Sequence, residues 1–491
     1  MAATPSPIPE STPSTPVAKE PTAFVQPRSG ILGRLGLHGM EGLEAPVLAA
    51  VASESPLLLI GPHGTAKSLL LTRLAAALEL PCRHYNASLL NFDDLVGFPL
   101  PATDGSLQYV RTPAAIWGAG AVFFDEISRC RPEVQNKLFS IVHERCVQGM
   151  PIEGLRHRWA AMNPPMTGDT DSDEADYLGS EPLDAALADR FPFILEMPTW
   201  TQYKAKEQVA VIRAEEFKLD AKVRGELRAA VELTQALYQP TREAYGDTVV
   251  RYVSELMSGL AKADLPLSPR RAGMLFRVAL SMYAASSVLV QNARFDDVLL
   301  AALQSSMPLR AQGRAVAPRK LFAAHKSAVG LAKLDPNSAL HLLISTRDPL
   351  QRLRLAMTTT GLSRSDLSDV VADTLAELPD GALEAASVCL FESGLAERLN
   401  AAVAGQFAET YRELLAGVLI NEVFASTSMP YRVWQRAEEL IATLDPSDPR
   451  SHLHANAVAR LFKRKPPGLD LERIEKAFHA FAEADLMLRA S

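Results

Sequence analysis

Two pairs of residues set the chemistry to be expected of this chain: Lys67-Ser68, after a glycine-containing loop, and Asp125-Glu126, at the end of an apolar run. The loop Gly61-Pro62-His63-Gly64-Thr65-Ala66-Lys67-Ser68, continued by Leu69, fits the pattern G-x-x-x-x-G-K-[ST]; Ala66 stands where the strict pattern has glycine. A loop that feeds a helix N-terminus aims several backbone N–H groups at one point, and the helix dipole adds positive potential there. Gly61 and Gly64 let the backbone curl around a triphosphate with no Cβ in the way. Lys67 can reach β- and γ-phosphate oxygens, and the Ser68 hydroxyl suits Mg2+. Taken alone, the stretch also reads as an ordinary strand–turn–helix with one lysine.

The run Ala121-Val122-Phe123-Phe124-Asp125-Glu126 reads as a buried strand with two carboxylates at its C-terminal end. Asp125 is expected to hold Mg2+ through water, and Glu126 to orient or deprotonate an attacking water, both beside a γ-phosphate. An acidic helix start is the plainer reading, and the phosphate loop upstream argues against it. Arg158 to Asn163 reads as a further strand; Asn163 could hold the attacking water or simply turn the chain before Pro164. Arg190, after LDAALADRF begins a short helix, could reach a neighbouring subunit's γ-phosphate. Arg270 follows Ser268-Pro269, a helix cap and first-turn proline, and could reach back to the nucleotide as a lid residue would. Salt-bridged surface arginines are the alternative for both.

These residues need elements to position them. Leu57–Ile60 reads as the strand before the phosphate loop, with a leucine-rich helix after it. Cys82–Asn86 reads as a second strand; Asn86 would face a ligand crevice or form a turn. Residues 91–112 form a polar, glycine-containing interruption whose arm 107–111 alternates as a hairpin does. Pro132–Glu144 is a helix with Val134, Leu138, Ile141 and Val142 on one face. Residues 167–182 read as an acidic loop, and 201–312 as helical. From about 313 to 491 the pattern is again mostly helical, and no catalytic constellation stands out. The proline-, serine- and threonine-rich stretch 1–29 cannot bury enough apolar area to order itself. The expected organisation is therefore a tail over 1–29, a nucleotide-binding α/β part over 30–198, a helical lid over 199–312 and a helical domain over 313–491.

The 491 residues carry a formal charge of -7, which argues against a nucleic-acid partner, and four cysteines without metal or redox spacing, which suit a reducing compartment. The basic run 460–465 reads as a solvated helix end. Apolar stretches such as 278–290 read as too short to span a bilayer, and the N-terminus lacks the order of a signal peptide. A cytoplasmic protein is expected.

The motif order resembles the MoxR family of AAA+ ATPases over about residues 31–312, with RavA-like members nearest in length. The residues that carry the resemblance are GPHGTAKS at 61–68, FDDLVG at 92–97, the run from Val122 to Gly149 with its FFDEISR, AAMNPP at 160–165, ALADRF at 186–191 and LSPRRA at 267–272. The resemblance implies a P-loop α/β core, a parallel sheet flanked by helices, with an all-α lid. It implies Walker A at 61–68, Walker B at Asp125-Glu126, sensor 1 at Asn163, an arginine finger at Arg190 and sensor 2 at Arg270. It also implies a helix-2 insert within 91–112 and a hairpin before sensor 1 within 146–158. ATP and Mg2+ are the implied cofactors. A ring of identical subunits, a hexamer, is the implied assembly, with ATP between subunits and the finger acting in trans. Family members remodel protein clients, many with a partner that carries a von Willebrand factor A domain. A nucleic-acid motor of the same superfamily and a nucleotide-dependent scaffold are the alternatives. The presence of Glu126, Asn163 and Arg190 counts against a pure scaffold.

Overall fold

The computed structural model describes residues 30–489, apart from positions 102, 106, 166–179, 214–216, 336, 419, 421–424 and 465. The expected tail over 1–29 and most of the expected acidic loop lie outside the described residues. The chain divides into two compact units that meet between Lys333 and Leu334.

Among its described residues the first unit has nine short strands: β1 (Leu57–Ile60), β2 (Cys82–Asn86), β3 (Phe98–Pro101), β4 (Leu107–Val110), β5 (Ala121–Asp125), β6 (Cys146–Val147), β7 (Met150–Pro151), β8 (His157–Met162) and β9 (Phe193–Glu196). Five of them form one parallel sheet in the order β2-β5-β8-β1-β9. Successive side chains of a strand point to opposite faces, and here both faces are covered. Leu57, Leu59, Phe123 and Trp159 enter one core; Leu58, Ile60, Val122, Phe124 and Ala160 enter the other. That is why the strands read as unbroken apolar runs rather than alternating ones. Each such leucine or phenylalanine contributes roughly 1.5–3 kcal/mol by leaving water. Two antiparallel ribbons, β3–β4 and β6–β7, stand apart from this sheet, at the sites of the expected insert and hairpin.

Helices α1 (Glu44–Ala52), α2 (Lys67–Ala77), α3 (Pro132–Glu144) and the short α4 (Ala185–Ala188) belong to this sheet layer. The helix face expected of α3 is the buried one: Val134, Leu138, Ile141 and Val142 all lie in the second core. After a helix over Ala205–Arg213 come α5 (Ala221–Lys262), α6 (Pro269–Leu289), α7 (Phe295–Gln304) and α8 (Pro318–Ala332). Leu321, Ala324 and Ala328 of α8 share the core of α5 and α6, so the unit runs on to Lys333, past the boundary expected at 312.

By length and composition α6, with 21 residues, is long and apolar enough to cross a membrane, contrary to the expectation that every apolar stretch is too short. In the fold 61% of its most apolar window is buried, with Leu275, Val278 and Leu280 inside the first core. The composition is that of a helix surrounded by protein.

The second unit, from Leu334 onward, has helices and no strand among its described residues. Leu367, Val371, Leu390 and Phe407 form one of its cores, and Val433, Val458, Phe462 and Ile474 another. At Gly381, which opens the helix Ala382–Glu392, φ is +85° and a Cβ would lie 1.9 Å from the Ala477 carbonyl oxygen. Only glycine allows that approach of two backbones.

Candidate nucleotide-binding site

In a parallel sheet all strand C-termini share one edge, and ligands bind outside that edge where the strand order reverses. Here β8 lies between β1 and β5, so their ends bring the phosphate loop, Asn163 and Asp125-Glu126 together. They line a cleft of about 320 Å³ with His63, Gly64, Thr65, Ala66, Lys67, Ser68, Leu69 and Met162. A volume of this order suits a small-molecule ligand.

The loop geometry follows from its residues. A Cβ at Gly61 would lie 2.7 Å from the Met197 side chain, so the loop can leave β1 only as glycine. Gly64 has φ +79°. Ala66 takes φ +61° and ψ +27°, the left-handed conformation, directly before α2 begins. That conformation explains why the strict pattern has glycine there: a Cβ is tolerated at a cost of about 1–2 kcal/mol. Lys67 Nζ donates to the carbonyls of Gly61 at 2.6 Å and Pro62 at 2.8 Å, and to Asn163 Oδ1 at 3.0 Å. Burial holds the Lys67 ammonium below its ordinary value, with Asp125 and then Glu126 opposing that shift.

Ser68 Oγ donates to Asp125 Oδ2 at 2.7 Å, and the Glu126 N–H donates to Asp125 Oδ1 at 3.0 Å. Burial disfavours the Asp125 carboxylate, but hydrogen bonds from His84, Ser68 and the Glu126 backbone outweigh it, and the group titrates below the ordinary carboxylate value. His84, which the sequence reading passed over, stands on β2 in register with Phe123, stacks on that ring at 4.3 Å and lies 3.5 Å from Asp125 Oδ2. Its signal was available as a polar residue two positions before the end of a strand beside β5. Glu126 has φ +53° and ψ +40°, and its carboxylate is 3.8 Å from Arg129. Asn86, by contrast, accepts from Ser88 N at 3.0 Å and Ser88 Oγ at 2.7 Å, the turn-forming alternative.

Among the described residues no group of three or more His, Cys, Asp or Glu side chains could hold a metal ion. Ser68 and Asp125 offer two hard oxygens, a set that fits Mg2+ taking its other ligands from phosphate and water.

Arg190 and Arg270 do not line this cleft. Arg190 Nη1 donates to the Ala186 carbonyl at 2.6 Å, and the guanidinium lies 4.5 Å over the Phe139 ring. Arg270 is 3.8 Å from Asp189. The two arginines are neighbours: burial first, then Arg270, lowers the Arg190 value, and burial, Arg270 and Arg190 together lower that of His143. The cause is Arg271, which the sequence reading did not separate from Arg270. It is fully buried and donates to the carbonyls of Phe191 at 2.7 Å and Ala188 at 3.2 Å, with Asp189 3.3 Å from its Nε. Ser268, the cap of α6, donates to the same Asp189 at 2.8 Å. The start of α6 is thereby fastened to the end of α4, and Arg270 is carried to Arg190 rather than to the chain's own phosphate loop.

Comparison with known proteins agrees with this geometry. Residues 56–191 match the model of the AAA domain, dynein-related subfamily. That part of the chain is similar to AAA domains, which supports a MoxR-type AAA+ ATPase. The chain is also similar to a solved structure from Cytophaga hutchinsonii described as a "putative ATPase", at 20% identity over 61% of this chain and 93% of that one, with a TM-score of 0.40. No curated protein matches the chain.

Proposed function

We propose that this protein is a MoxR-type ATPase that hydrolyses ATP to ADP and phosphate and uses the cycle to remodel, activate or assemble a protein client. The observation that carries the reading is the convergence of Lys67, Ser68, Asp125, Glu126 and Asn163 on one cleft. Lys67 and the N-terminus of α2 bind the phosphates. Ser68 and Asp125 would hold Mg2+, which would supply charge neutralisation to the phosphates. Glu126 orients the attacking water and accepts its proton, and Asn163 helps to hold that water. Among the described residues that line the cleft, Lys67 is the one lysine or arginine.

Arg270 and Arg271 lie against Asp189, and Arg190 is near Glu144, Asp189 and Asp184, all away from the chain's own cleft. That supports a ring of identical subunits, a hexamer, in which Arg190 as finger and Arg270 beside it stabilise transition-state charge on the neighbour's ATP. A von Willebrand factor A domain protein is the proposed partner class, on the resemblance to the MoxR family alone. Four free cysteines fit a cytoplasmic setting.

Glu126→Gln in the full-length protein tests the core of this reading. ATP binding should be kept and hydrolysis should fall at least about a hundredfold; unchanged turnover would put the base elsewhere. The same variant with ATP, used as a trap, should retain a protein client, and retention of nucleic acid instead would favour a motor.

A further inference from the structure

We infer that Ser180 is a positioning residue for hydrolysis, acting with Ser128 as a brace between the turn that follows Glu126 and the end of the Asn163 strand. Ser180 is 2% exposed and Ser128 is 3% exposed. Ser180 Oγ lies 3.0 Å from the Asn163 carbonyl oxygen and 3.1 Å from Ser128 Oγ. A hydroxyl has one proton to give and a carbonyl has none. Both contacts are satisfied only if Ser180 donates to the Asn163 carbonyl and accepts from the Ser128 hydroxyl.

Three separate pieces of chain meet in that arrangement. Ser128 sits in the single turn Ile127–Arg129 that begins beside Glu126. Asn163 is the residue whose side chain touches Lys67. Ser180 precedes Asp184, the N-cap of α4, and so leads directly to Arg190. A buried hydroxyl costs free energy unless it is paired, and alanine would fill these positions without that cost. The brace has something to hold. Glu126 is in the left-handed region, a conformation of a non-glycine residue that persists only where its surroundings impose it. Asn163 follows the last residue of β8 and precedes Pro164. Neither serine lines the cleft, so neither touches the nucleotide; the effect passes through Glu126 and Asn163.

The test is steady-state ATP hydrolysis by the full-length protein, with kcat and KM separated, for wild type, Ser180→Ala, Ser128→Ala and the double variant, alongside thermal unfolding of each. Each single variant should lose about tenfold in kcat with KM changed by less than about twofold, because a positioning contact is felt in the transition state and not in binding. The double variant should be no slower than Ser180→Ala, since Ser180→Ala already removes both hydrogen bonds of the brace. A merely structural role would lower the unfolding midpoint without this split. Turnover of Ser180→Ala within about twofold of wild type, losses that multiply in the double variant, or a change confined to KM would each overturn the brace. If Ser180→Ala does not fold, Ser128→Ala removes the Ser128–Ser180 hydrogen bond of the brace and is judged by the same kcat criterion. The inference rests on the ATPase reading. A wild-type protein without turnover overturns both, whereas a wild type that turns over, with both single variants equally fast, overturns only the brace.

Discussion

Ala66 and Glu126 share a backbone conformation that side chains rarely adopt, with φ +61° and +53°. At Ala66 the strain has no side-chain function to serve, since a methyl group makes no polar contact. Ala66→Gly should therefore raise stability by up to about 1 kcal/mol, less what glycine loses in chain entropy, read as a higher denaturant midpoint with an unchanged slope. A lower midpoint would mean that the Ala66 methyl packs better than its backbone is strained. At Glu126 the same conformation turns the carboxylate toward the cleft. Lys67 is the residue on which binding depends most: it is the cation among the residues that line the cleft, and it already bridges Gly61, Pro62 and Asn163. Lys67→Ala should abolish ATP binding by titration calorimetry, and wild-type affinity in that variant would remove the phosphate-loop reading.

At the scale of elements, the informative strand is β8. It is buried along its whole length and opens with His157, whose Nδ1 has no hydrogen-bond partner and whose ring packs against Trp159 at 5.3 Å. Burial, with Arg156, Arg158 and Arg145 nearby, lowers this imidazole from the ordinary 6.5 to about 3. Between those values the unfolded chain binds a proton that the folded chain refuses, so stability falls as the pH falls. The slope for one such group approaches about 1.4 kcal/mol per pH unit. His157→Leu should flatten the stability profile between pH 6.5 and 4.5 by that amount, measured by urea unfolding. Other histidines with lowered values, His143, His325 and His454, keep a residual slope of the same sign. A profile of unchanged steepness would mean that His157 is protonated in the fold.

At the scale of the molecule, the fastening of α6 to α4 by Arg271 makes Arg190 and Arg270 one patch. If that patch serves a neighbour's ATP, an Arg190→Ala subunit is defective only toward its neighbour, and a Glu126→Gln subunit only toward itself. Mixed assemblies of the two should recover turnover above either variant alone, because some sites then combine an intact Glu126 with an intact Arg190. No recovery at any mixing ratio would leave Arg190 without a role in trans.

Much of the site was legible in the sequence because its signals are local. Phosphate binding needs a strand, a loop and a helix in succession, and the residue types of 57–71 state all three. The Asp125-Glu126 pair is likewise a property of one strand end. Strand β9 was not legible: four residues between Pro192 and Pro198 carry no period, and they become a strand only because the edge of β1 is open to them. Nor could sequence divide Arg270 from Arg271, adjacent residues of like charge, one of them fully buried. Which of the two is burial's and which the solvent's depends on where Ala188, Asp189 and Phe191 lie in space. The sequence by itself determined the chemistry available at each strand end. Only the tertiary structure decided which ends meet, through strand order, and which arginines leave the chain's own cleft, through a buried clamp between segments some eighty residues apart.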